Sequence, residues 1–252
     1  MHILKQLSTK KGRDEAGLFS IEGEKFISEI PHNVPVKRYI ISQSYAEMQA
    51  GTLPNYKARA PVEIIADKIF ARYADTQTPQ GIAAICEKPA PAQLSDFSKK
   101  DIFLLFCENV QDPGNIGTLI RTAAAAGAHG IILSNGCADM YNPKTLRATA
   151  GAAFRLPIIT DISTMGTLPR LKAQGIALYA AHPHDGNAPY NIDMKKGLCI
   201  LIGNEAHGLS NEALRLADAR LCLPMAQASE SLNASAAGSI LLYEVLRQRS
   251  YC

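Results

Sequence analysis

The chain has 252 residues, 47% of them hydrophobic, and a formal net charge of +3 at pH 7, enough for one large or two modest domains with packed cores. So small a charge neither requires nor excludes a polyanionic partner. No eighteen apolar residues run together and no apolar stretch follows the polar, basic start, which argues against a membrane span or a signal peptide.

Lys5, Lys10, Lys11 and Arg13 open the chain with no acid among them, a segment suited to phosphate contacts or to plain solvation. Strands are expected at 38–42, 62–65 and 81–86, with helices at 24–30 and within 64–73, a small α/β unit. KPAPAQLSDFSKK, residues 88–100, then interrupts the apolar patterns as a linker does. The expected division is 1–90, a linker over 91–100, and 101–252. In the last part apolar strands are expected at 102–107, 130–133, 176–180, 198–202 and 220–223. Helices are expected from about 115 and near 168–174, 212–217 and 231–248. The last carries Leu232, Ala236, Ile240, Tyr243 and Leu246 as an apolar stripe. Strands of this kind alternating with helices indicate a parallel sheet. Cys86, Cys107, Cys137, Cys199, Cys222 and Cys252 form no CxxC pair; they are read as reduced thiols of a cytoplasmic protein, with Cys107, Cys199 and Cys222 as small buried hydrophobes.

Three segments carry polar groups at strand ends, where open α/β sheets bind ligands. In ENVQDPGNIGTLIRTA (108–123) the Asp-Pro-Gly turn leads to Asn115 as the expected helix N-cap. Arg121 stands about 1.7 turns on, among apolar neighbours, which suggests a buried or interface position near Asn115's side. In LCILIGNEAHGLS (198–210) the strand ends in Gly203, Asn204 and Glu205, with Ser210 placed to cap the next helix. In LCLPM followed by SESLNASAAG (221–238), Met225 and Leu232 can line an apolar slot, and small residues give the last helix a thin surface. His182-Pro183-His184-Asp185 is read as a surface turn, and no metal-ligand cluster is visible.

Taken in this order, ENVQDPGNIGTLIRTAAAAG, LIGNEAHGLS and LPMAQASESLNASAAGSILLYE resemble the three motifs of the SpoU/TrmH family of RNA 2′-O-ribose methyltransferases. KKGRDEAGLFSIEGEKFISE and TPQGIAAI resemble the substrate-binding domain of many members. The resemblance implies an α/β fold: a C-terminal parallel-sheet domain with a deep trefoil knot, plus a small N-terminal RNA-binding domain. It implies S-adenosylmethionine as methyl donor, RNA as substrate (ribosomal more than transfer RNA), a homodimer through the knotted domain, and no metal. By position, Asn115, Arg121, Glu205, Ser231 and Asn233 would form the catalytic constellation. Gly203, Leu223 and Leu232 would contact the donor, with Ile202, Met225 and Ala180 as further candidates. The resemblance implies a general-base role for this arginine, but a guanidinium is almost never deprotonated in proteins, so Arg121 is expected to be a phosphate clamp first, with the base role as the alternative. Ala226, Gln227 and Ala234 depart from the family pattern. The alternatives are a transfer-RNA enzyme and a non-catalytic RNA-binding or ribosome-assembly protein. An oxidoreductase carries little weight, because no GxGxxG follows any strand.

Overall fold

The computed structural model describes residues 2–74, 76–97, 100–226 and 231–250, so Gln227 and Cys252 lie outside the described residues. Among the described residues the strands are β1 (Leu18–Glu22), β2 (Val36–Ser42), β3 (Val62–Ile65), β4 (Ile82–Glu87) and β5 (Phe103–Cys107), then β6 (Gly130–Ser134), β7 (Ile158–Ile162), β8 (Ala177–Ala181), β9 (Leu198–Ile202) and β10 (Ala219–Leu221). The helices are α1 (His2–Leu7), α2 (Lys10–Ala16), α3 (Glu24–Ser28), α4 (Gln43–Met48), α5 (Leu53–Arg59) and α6 (Asp67–Tyr73), then α7 (Pro113–Ala125), α8 (Pro143–Thr149), α9 (Thr164–Ala173), α10 (Asn211–Leu216) and α11 (Ala234–Ser250). They group into two compact units. One comprises residues up to Ala90 together with Asp139–Phe154; the other comprises Pro91–Ala138 and Arg155 onward. None of the described helices is long and apolar enough to cross a membrane.

The first unit is built on a four-stranded sheet, order β1-β4-β2-β3, in which only β2 and β3 run parallel. Alternation puts Ile40, Ala83 and Ile85 on one face, where Leu7 and Phe70 from helices cover them. Phe19 of β1 meets Tyr141 and Phe154 at ring-centroid distances of 5.0 and 6.0 Å, so 139–154 supplies apolar cover to this unit. Arg13 departs from the expected phosphate-contacting run. Its side chain is only 2% exposed, its Nε and Nη2 donate to Asp139 Oδ2 at 2.9 and 2.5 Å, and its Nη1 donates to the Leu7 carbonyl. Thr9 caps α2, and Gly17 in the left-handed region ends it, so Arg13 in the last turn points back toward Leu7. Lys5, Lys10 and Lys11 do stay exposed.

The second unit carries the expected parallel sheet, six strands in the order β10-β8-β9-β5-β6-β7. Every residue of β5, β6 and β9 is buried, as strands covered on both faces require. Phe106, Ile132, Leu178 and Leu201 share one core cluster with Leu168 and Leu171 of α9. Helix α7 begins earlier than expected: Asp112, not Asn115, is its N-cap, accepting the Asn115 N–H at 2.9 Å, with Pro113 in the first turn. Helix α11 packs on α7 and β9 through its small residues. A Cβ on Gly238 would stand 2.4 Å from a Leu119 methyl, which explains the thin surface there. Its buried face includes Ser235, Gly238, Leu241, Leu242 and Val245; of the expected stripe Ala236, Ile240 and Tyr243 face outward, Leu246 is half-buried, and Leu232 precedes the helix. Cys107 and Cys199 are fully buried, and burial pushes both thiols up, away from reactivity. Cys222 lies just past β10 and is half-buried, not a core residue.

Candidate functional site

A cavity of about 570 Å³ opens at the C-terminal ends of β8, β9 and β10. Segments far apart in sequence form its wall: Ile202 and Gly203 leaving β9, Leu223 and Met225 after β10, and Ser231 and Leu232 ahead of α11. The size is that of a cofactor pocket, and the lining alternates apolar side chains with backbone and polar groups.

The loop after β9 is folded tightly on itself. Asn204 N donates to Gly208 O and Gly208 N to Asn204 O, while Asn204 Oδ1 accepts the N–H groups of Ala206 and His207. A Cβ on Gly203 would lie 2.1 Å from the Gly208 carbonyl carbon, so only glycine permits this closure. Two carboxylates then tie the loop to the neighbouring β5 segment. Glu108 accepts from Ser210 N and Oγ at 2.7 and 2.9 Å, and the same Ser210 hydroxyl caps α10, as expected. Glu205 accepts from Asn115 Nδ2 at 2.8 Å and from the backbone N–H groups of Asp112 and Gln111 at 3.1 and 3.2 Å. Asn204 Nδ2 reaches the Asn109 carbonyl at 2.8 Å.

Burial pulls the Glu205 carboxyl upward, but the Asn115 amide and the backbone N–H groups of Gln111 and Asp112 outweigh it and hold the group below its ordinary value. The ionised form therefore stabilises the fold fully above the ordinary carboxylate pKa, and this is lost as pH falls through the lowered folded value. Glu205→Ala is expected to be less stable than wild type at pH 7, on the order of 1 kcal/mol. The gap should close as the pH is lowered through the carboxylate range. Urea denaturation of both proteins along a pH series measures it, and a gap that widens in acid contradicts the assignment.

Of the sequence-derived candidates, Ile202, Gly203, Glu205, Leu223, Met225, Ser231 and Leu232 meet on this wall. Asn115 stands behind it, buried and holding Glu205. Asn233 is turned to the start of α11, where its Oδ1 accepts from Ser235 N, Ser235 Oγ and Ala236 N. Ala180 does not reach the cavity. Strand alternation points it into the core cluster and gives the wall to its neighbour Ala181. Of the two positions expected for Arg121, buried or at an interface, the buried one does not hold. Arg121 is exposed, off the wall, and without a hydrogen bond or ion pair among the described residues. Six helical residues amount to about 1.7 turns, which rotates it to another face.

Missed by the sequence reading were His182, Pro183 and His184, dismissed as a surface turn yet part of the cavity wall. His182 Nδ1 accepts the Asp185 N–H at 3.0 Å, which fixes the ring against its own loop. The signal available was their place directly after a strand in a parallel sheet. No group of three potential metal ligands occurs among the described residues.

Residues 102–243 match the model of the SpoU rRNA Methylase family, and residues 1–84 match an MRM3-like substrate binding domain. The chain is 33% identical over 242 residues to the 23S rRNA (guanosine(2553)-2′-O)-methyltransferase RlmP of Bacillus subtilis, covering 96% of this chain and 93% of the relative. Among solved structures it resembles the SpoU methyltransferase AviRb from Streptomyces viridochromogenes in complex with AdoMet (S-adenosylmethionine). That likeness has a TM-score of 0.88 at 30% identity and covers 99% of this chain and 97% of the other. An AdoMet-bound rRNA methyltransferase from Sinorhizobium meliloti superposes with a TM-score of 0.84 at 31% identity, covering all of this chain and 95% of that one.

Proposed function

The chain belongs to the SpoU rRNA methylase family, and from that premise we propose that it transfers the methyl group of S-adenosylmethionine to a ribose 2′-hydroxyl of ribosomal RNA. The observation that carries the reading is the cavity itself, where Gly203, Leu223, Met225, Ser231 and Leu232 converge from separate segments. The residues present fit the donor. Leu223, Met225 and Leu232 offer apolar cover for an adenine face, while Ser231 and Glu205 supply polar groups on the same wall. When bound, S-adenosylmethionine supplies an already activated methyl group on a sulfonium.

What the chain's own residues add is position and charge. Asn115 and Glu205 act as a brace that keeps the 203–208 loop shaped against the β5 segment. Asn233 fixes where α11 starts and so holds Ser231 and Leu232 at the wall. Arg121, permanently charged, clamps a phosphate beside the target ribose and orients its 2′-hydroxyl.

Residues 1–90 serve as the RNA-binding part, 91–100 as linker and 101–252 as the methyltransferase part, with the C-terminal segment threaded in a trefoil knot. The protein works in the cytoplasm as a homodimer through the second unit. The outward face of α11, with Ile240 49% and Tyr243 52% exposed, supports that interface. Sedimentation equilibrium is expected to return twice the chain mass, and Tyr243→Glu to shift it toward one.

The decisive experiment maps ribose methylation on total RNA from cells with and without the gene. Loss of a single ribosomal-RNA site is the expected outcome; loss of a transfer-RNA site instead would correct the substrate. Titration calorimetry with S-adenosylmethionine separates an enzyme from a non-catalytic RNA-binding relative, which would show no donor binding.

A further inference from the structure

The 204–209 loop separates the donor cavity from a second one. This other cavity, of about 720 Å³, lies at the C-terminal ends of β5, β6 and β7 and shares Asn204, His207, Gly208 and Leu209 with the first as common wall. Its chemistry differs from that of an anion site. Among the described residues no lysine or arginine lines it, and the acids that do, Glu108 and Glu212, are engaged with Ser210 and Arg215.

What remains on the wall is polar and open to solvent. The side chains of Asn135, Thr164 and His207 make no hydrogen bond among the described residues, and all three line the space. Beside them Met165, 52% exposed, and Ile162 present apolar surface. Amide and hydroxyl groups around a flexible thioether suit a planar ligand with two apolar faces and a hydrogen-bonding edge. Gly136 keeps the space open. Its backbone is left-handed (φ +87°), and a Cβ there would press within 2.4 Å of the Asn109 amide oxygen.

We propose that this second cavity is a nucleobase subsite, taking the base of a nucleotide that flanks the methylated one in single-stranded RNA. The inference rests on the function proposed above and specifies how its substrate is held. A base lodged one loop away from the donor positions the ribose of its neighbour, and recognition of unstacked bases by edge and face is how single-stranded RNA is read.

The test uses the full chain and an RNA oligonucleotide spanning the methylated position, either intact or with one abasic residue at each flanking position in turn. For wild type, an abasic residue at one flank is expected to raise KM about tenfold, the scale of one lost base contact. The double variant Asn135→Ala/Met165→Ala is expected to show a similar rise on intact RNA, with kcat and S-adenosylmethionine affinity unchanged. It should also be indifferent to the abasic residue that hurts wild type, a signature that a merely structural defect would not produce. A wild-type KM in the double variant, or equal abasic penalties in both proteins at every flank, overturns the subsite alone. Absence of methyl transfer by wild type overturns the subsite and the proposed function together.

Discussion

Arg121→Ala is expected to lower methyl transfer to RNA by about 10²- to 10³-fold while leaving S-adenosylmethionine affinity unchanged. Arg121 lies off the wall of the proposed donor cavity and has no partner among the described residues, so truncation removes nothing that shapes that cavity. The packed face of α7 is made by Ile116, Leu119, Ile120 and Ala123, all buried, and the substitution leaves that face intact. A large activity loss with stability preserved is therefore attributable to the guanidinium. Arg121→Lys should recover part of the rate, because it keeps the charge but loses the planar fork that grips two oxygens at once. Single-turnover methylation with saturating donor, beside calorimetry, measures both quantities. Wild-type rate in the alanine variant would remove Arg121 from the mechanism.

Asp139→Ala is expected to cost the first unit about 3–5 kcal/mol. The Arg13 guanidinium is taken out of water by its own unit, and among the described residues Asp139 is the carboxylate that pairs with it. Removing the acid strands a buried cation with one carbonyl contact, from Leu7. Pairing the change with Arg13→Met should restore much of the loss, since replacing both charges avoids the uncompensated one. Urea denaturation of the full chain, followed by a probe in the first unit, tests this. A loss below 1 kcal/mol in the single variant would mean that water reaches Arg13.

The parts of this fold that announce themselves are those whose causes are local. Val62–Ile65 and Leu198–Ile202 form at the expected bounds because both are rich in β-branched or aliphatic residues and begin directly after Pro61 and Gly197. Leu18–Glu22 escaped notice because LFSIE is short, lies between charged stretches and owes its strand state to pairing with distant β4. Ile158–Ile162 escaped because Thr160 and Asp161 break the apolar run, Asp161 with a left-handed backbone (φ +57°). The motifs named much of the cavity wall after β8, β9 and β10, since glycine and proline at strand ends are local facts. They could not assign His182 to that wall, because that depends on how elements meet; the turn of Arg121 away from Asn115 follows from helix periodicity alone. The outward stripe of α11 shows the same limit: periodicity marks an apolar face but does not say whether the chain itself covers it.

The grouping of 139–154 with the first unit reaches beyond packing. A protease cut anywhere in 91–100 would sever the backbone without freeing the halves, since Tyr141 and Phe154 belong by sequence to the later fragment and by contact to Phe19. A gene truncated at codon 90 would encode a module missing the partner of Arg13 and two rings of its apolar cover. The part that matches a substrate binding domain is thus not a detachable cassette, and any chimera that exchanges it must carry the distant loop along with it.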